Sequence, residues 1–111
     1  MESEHEIQKQ FINWFRGTYP EVRILAIPNG GHRNPIVGAK LKEEGVSAGV
    51  PDLFIPKWMY WLEIKSEKGR VSLHQKEWIE YLRTLGYTVA VGYGLENCKD
   101  LILNFKKESK K

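Results

Sequence analysis

Cysteine is almost missing from this chain: Cys98 stands alone among 111 residues. One thiol forms no intramolecular disulfide and argues against a cysteine-based zinc site. Histidine does not fill the gap, because His5, His32 and His74 show no ligand spacing. Long apolar runs are absent too. None reaches the roughly 18 residues that a membrane span needs, so no membrane partner is expected. The N-terminal stretch MESEHEIQKQ is charged where a secretory signal would be apolar. A cytoplasmic protein is the expectation. Internal repeats and low-complexity linkers are also lacking, and the length suits one compact domain with a modest core.

What is present is ordinary in amount and unusual in placement. The residues are 41% hydrophobic and 28% charged, with a net charge of +3 and a pI near 9.0. A basic balance suits a nucleic-acid partner without demonstrating one. Part of the excess sits in KKESKK, which reads as a solvated basic tail over 106–111 following a single domain over 1–105.

Hydrophobic periodicity predicts a helix over 5–16, ended by Gly17 and Pro20, and a strand over 22–28. The polar loop 29–35 ends in Asn34-Pro35, an N-cap and N1 pair that opens a short helix to about Glu44. A glycine-bearing loop then leads into a strand over 52–56, a turn at Lys57 and Trp58, and a returning strand over 59–65. Ser72 and Gln75 form the capping-box pattern S-x-x-Q, opening a helix over 73–85 that Gly86 closes. A strand over 87–93 and a helix over 95–105 follow. The order α-β-α-β-β-α-β-α implies an α/β fold with a small mixed sheet flanked by helices.

Within that scheme GVPDLFIPKWMYWLEIK (49–65) carries charges where a sheet usually carries valine and leucine. Asp52 is followed by ten residues and then Glu63-Ile64-Lys65. Alternation along a strand sends Glu63 and Lys65 to one face and Ile64 to the other. If the two strands form a hairpin, Asp52 comes within a few Å of Glu63, at the open end with Lys65. Two neighbouring carboxylates repel unless a cation or proton lies between them. Mg²⁺ (or Mn²⁺) suits such a pair, being bound by few carboxylates together with water and phosphate oxygens. The Ile64 carbonyl would add a neutral ligand. Lys65 would orient the attacking water and screen charge on a phosphate. The plainer reading makes Glu63 and Lys65 a solvated strand face paired across to Asp52.

Two helices extend the set. With Ile7 at 0° and about 100° per residue, Phe11, Trp14 and Phe15 fall within about 80°, and Glu4 near 60° on the same apolar side. Glu4 is also what a helix dipole favours in a first turn. Gln75, one turn before Trp78, Ile79 and Leu82, faces the sheet and would touch a phosphate or order the lysine while capping its helix.

Taken together, E-H-E-I-Q (4–8), I-P-N-G (27–30), K-L-K-E-E-G-V-S-A-G-V-P-D-L (40–53), L-E-I-K (62–65), Q-K-E-W (75–78) and L-R-x-L-G-Y (82–87) resemble the VRR-NUC (virus-type replication-repair nuclease) family of the PD-(D/E)XK nucleases. The resemblance spans Glu4 to about Tyr93. It implies a restriction-endonuclease-like core and a metal-dependent DNA endonuclease with Asp52, Glu63 and Lys65 as the central triad. Glu4 would match the family's helix-borne acid and Gln75 its helix glutamine. Small stand-alone members of phages and bacteria resemble Holliday junction resolvases, which implies a homodimer acting on branched DNA in replication or repair.

Weaker candidates surround this set. Asn29, His32 and Arg33 in the polar loop, Lys40 and Lys42 on the short helix, and Lys68 and Arg70 beside the active strand are candidate DNA-backbone contacts. Trp58 and Tyr60, at and after a turn, are candidates to touch DNA or a second subunit. Two rivals to the nuclease remain. One is a non-catalytic basic DNA-binding module, which would bind with steep salt dependence and not cut. The other is a scaffold, which would bind neither metal nor DNA.

Overall fold

The computed structural model describes residues 2–28 and 35–109. In chain order these form α1 (Glu4–Thr18), β1 (Leu25–Ala26), α2 (Pro35–Glu43), β2 (Leu53–Ile55), a 3₁₀ turn (Pro56–Trp58), β3 (Tyr60–Lys65), α3 (Leu73–Thr84), β4 (Thr88–Tyr93) and α4 (Leu95–Ser109). The chain is an α/β protein built on a four-stranded mixed sheet in the order β1-β2-β3-β4. β1, β2 and β3 run antiparallel, and β4 lies parallel to β3. The parallel pair requires a crossover, and α3 supplies it as the helix of a β-α-β unit.

Alternation along the strands divides the sheet into two faces. Leu53, Ile55, Tyr60, Leu62 and Ile64 point to one face, where they are buried with Ile7, Phe11 and Phe15 of α1 and Cys98 and Ile102 of α4. Each such aliphatic or aromatic side chain contributes about 1.5–3 kcal/mol by leaving water. Burial pushes the Cys98 thiol up to about 12, with the Asp52 charge adding to the effect, so this cysteine is an inert core residue. On the opposite face α3 lays Ile79 and Leu82 over Val89, flanked by Trp61 and Tyr87.

Three elements differ from expectation. The strand expected over 22–28 has only two laddered residues, because its partner β2 is three residues long and stops at Pro56. α1 begins one residue earlier, at Glu4, because Ser3 caps it by accepting a hydrogen bond from the Glu6 N–H at 3.1 Å. The last helix runs beyond 105 to Ser109, and Lys106 lies 4.6 Å from the centre of the Trp58 ring. The first residues of KKESKK are therefore helical, held by a cation–π contact. Trp58 and Tyr60 belong to an aromatic cluster with Phe15, Tyr19 and Phe105 rather than to an outer surface.

Candidate active site

The β2–β3 register places Leu53 opposite Leu62. One step towards the open end of the hairpin, the same register sets Asp52 opposite Glu63. Asp52 lies past the last laddered residue of β2, and its Oδ2 accepts a hydrogen bond from the Ile64 N–H at 2.8 Å. The carboxylate thus occupies the place on the β3 edge where another strand residue would otherwise pair. A strand residue points its N–H and C=O to the same edge, so the Ile64 carbonyl faces the Asp52 side as well.

Glu63 and Lys65 point to the α3 face. They are not solvated: Glu63 is 2% exposed and Lys65 7%. The Lys65 Nζ lies 3.6 Å from Glu63 Oε2. The same oxygen accepts a hydrogen bond from Gln75 Nε2 at 2.9 Å. Glu63 Oε1 is buried with no hydrogen-bond partner. A buried carboxylate oxygen without a partner carries its full desolvation cost. Burial, reinforced by the Asp52 charge, pushes the Glu63 carboxyl up to about 8. Burial also raises Asp52, where the Glu4 charge adds to the effect and the Ile64 hydrogen bond opposes it.

The capping box fixes the orientation of Gln75. Its Oε1 accepts from the Ser72 N–H at 2.8 Å, and Ser72 Oγ accepts from the Gln75 N–H at 3.2 Å. With the carbonyl end of the amide committed, only the NH₂ end can face Glu63.

α3 is brought to the acids through its first turn. Gly49, three residues before Asp52, has φ +93°, and a Cβ on it would stand 2.7 Å from the backbone C and O of His74. The loop before Asp52 therefore lies backbone to backbone against the start of α3.

Asp52 and Gln75 open onto a cleft of about 1360 Å³ also lined by Glu4, Lys42 of α2 and His74. Glu4 is exposed at the rim, and its charge is felt by both Asp52 and Glu63. It does not join them as a third close acid: among the described residues no three His, Cys, Asp or Glu side chains are grouped closely enough to hold a metal ion. The reason is topological. α1 packs on the Leu62 and Ile64 face of the sheet, so its first turn reaches the site only around the end of the hairpin.

Lys40, on α2 with Lys42, is exposed. Lys68 is exposed in the loop after β3, and Arg70 lines a separate groove beside α3. Asn29, His32 and Arg33 lie outside the described residues. Sequence reasoning passed over Lys76 and Arg83, which line the groove with Arg70. Their seven-residue spacing with Glu80 between them, one stripe of a helix, was the available signal.

A model of the VRR-NUC domain matches residues 1–96. The chain belongs to the VRR-NUC family. A solved structure described as a VRR_NUC domain protein is 30% identical, with a TM-score of 0.78, covering 96% of this chain and 89% of that one. No functionally curated protein matches. VRR-NUC membership implies a nuclease-type activity with DNA as substrate. Among the described residues, no helix is long and apolar enough to cross a membrane.

Proposed function

We propose that this VRR-NUC domain is a divalent-metal-dependent DNA endonuclease, and that it acts as a homodimer on branched DNA such as Holliday junctions. The observation that carries the metal dependence is the buried Glu63 Oε1, which no N–H or hydroxyl donor reaches, beside the Asp52 carboxylate. Such a pair is stable only with a proton or a cation between the acids. The donors are all hard oxygens, namely two carboxylates and the Ile64 carbonyl, which suits Mg²⁺ or Mn²⁺. Such ions retain several waters and need no preformed cage of three acids. Glu4, exposed at the rim of the cleft, would hold one of those waters rather than the ion itself.

When bound, the ion would polarise the phosphodiester and lower the pKa of an attacking water. The chain's own groups do the rest. Lys65, held against Glu63, offers a buried positive charge to the phosphate as negative charge builds on it. Gln75 holds Glu63 Oε2, so Oε1 is the oxygen that would meet the ion. Hydrolysis adds water across one P–O bond and leaves one phosphate end and one hydroxyl end. The homodimer and the branched substrate rest on the family resemblance.

The test is a cleavage panel with Mg²⁺ and Mn²⁺ on single-stranded, duplex, flap, splayed and four-way junction DNA. Cutting is expected only with metal, strongest on junctions, and absent in Asp52→Ala and Lys65→Ala, which still bind DNA. Cleavage that survives both substitutions would discard this site. Metal-independent binding without cutting of any substrate would instead favour the non-catalytic module.

A further inference from the structure

A second groove, of about 770 Å³, lies on the same sheet face as the acids, between α3 and β4. Its cations are Arg70, Lys76 and Arg83, set against a single acid, Glu80. Its floor and walls are apolar, formed by Val71, Ile79 and Val91, and at its end stands Tyr93, 40% exposed. The groove adjoins the catalytic strand directly. Gly69 is its lip, and a Cβ there would be 3.2 Å from Lys65 Cβ and Cδ. Tyr93 is the register partner of Lys65 across the β3–β4 ladder. A chain leaving the phosphate at Lys65 meets this groove next.

We propose that the groove is a track for a single-stranded arm of the substrate, with Arg70 and Lys76 on phosphates and Tyr93 stacking on a base. The proposal rests on the nuclease reading for why a strand should leave Lys65, but the groove's affinity is independent of cutting. Charge complementarity selects a polyanion. The apolar walls and the exposed ring select among polyanions: a duplex hides its base faces and is held through phosphates, whereas a single strand presents faces that stack on aromatic rings. The large cleft at Asp52 remains for the strand being cut. Two arms then leave the site by different surfaces, which is what a splayed or flapped substrate requires.

The test measures binding in EDTA, so that no cleavage intervenes, by fluorescence anisotropy with a labelled oligo-dT of about twelve nucleotides and with a blunt duplex of the same length. Arg70→Glu/Lys76→Glu changes two exposed side chains and leaves the core intact. The double variant should weaken oligo-dT binding at least about ten-fold and lower the slope of log K against log salt by about 1.4, the share of two single-strand phosphates. Tyr93→Ala should weaken it about five-fold with no change in salt slope. Duplex binding should change much less in both. Unchanged oligo-dT affinity, or equal loss for duplex and single strand, would overturn the track. In parallel, wild-type cleavage of blunt and splayed substrates is compared. If the wild type cuts nothing with either metal, the nuclease reading fails, while the anisotropy result still decides the groove.

Discussion

At the scale of single residues, Gln75 serves two structures with one amide: its oxygen closes the capping box on Ser72, and its NH₂ group holds Glu63. Two substitutions separate these roles. Ser72→Ala removes the hydroxyl cap but leaves the amide where it is, so it should cost about 1 kcal/mol in denaturant unfolding and leave cleavage within a few-fold. Gln75→Glu keeps a box-compatible acceptor at N3 but turns a donor to Glu63 into a third acid, so cleavage should fall at least about ten-fold. Equal losses from both would mean that the amide acts only through the helix. Glu63 itself predicts a pH dependence. Its carboxyl is raised from an ordinary 4.5 to about 8, so the folded, metal-free protein holds this proton more tightly than the unfolded chain does. The resulting stabilisation is complete below about pH 4.5, is lost as pH rises towards 8, and is flat above that. Thermal unfolding in EDTA should therefore show a melting temperature falling from pH 5 to pH 8, with the fall much reduced in Glu63→Gln. Identical slopes would contradict the burial argument. Mg²⁺ should reverse the trend, raising stability more at pH 8 than at pH 6 as it replaces the proton.

At the scale of elements, the site depends on how the hairpin and α3 are joined. Gly49 makes that joint twice over, by its positive φ and by its approach to His74, whereas Gly86 has φ +94° and open space where a Cβ would stand. Gly86→Ala should cost about 1 kcal/mol of stability from backbone strain alone and leave metal affinity intact. Gly49→Ala carries the same strain and also drives the Asp52 loop away from α3. It should weaken Mg²⁺ binding, measured by calorimetry, by far more than its stability loss explains. Matched metal affinities in the two variants would remove Gly49 from the site's construction. These joints mark the limit of what the sequence conveys. Local chemistry was legible: the box at Ser72 and Gln75, the stop at Gly86, and the alternation that puts Glu63 and Lys65 on one face all read directly from residue types. Long-range placement was not. Nothing local to Glu4 reveals that α1 packs on the far face of the sheet and leaves its acid at the rim. Nothing local to Trp58 and Tyr60 reveals that α4 packs against this end of the sheet and brings Phe105 over them.

At the scale of the whole molecule, the question is how copies of a small sheet protein avoid merging their sheets. β1, with two residues, offers almost no edge. β4, with six, is the exposed risk. Thr88 N–H bonds to Met59 O and Gly94 N–H to Lys65 O, so the even-numbered residues of β4 face β3. The backbone N–H and C=O groups of Val89, Val91 and Tyr93 therefore face the outer edge. Two of their backbone groups are already taken by side chains: Arg83 Nη2 donates to Val89 O at 2.7 Å, and the Tyr93 N–H donates to Asn97 Oδ1 at 2.8 Å. Helices on either side of the sheet thus send one side chain each to blunt the edge, and a homodimer of this chain would form through other surfaces. Arg83→Ala/Asn97→Ala uncovers both groups while leaving the buried core untouched. The double variant should self-associate with rising concentration, seen as a sedimentation shift beyond the wild-type species, while keeping the wild-type circular dichroism. The same sedimentation profile in both proteins would mean that the two side chains do not guard the edge, and edge pairing would return as a route to self-association.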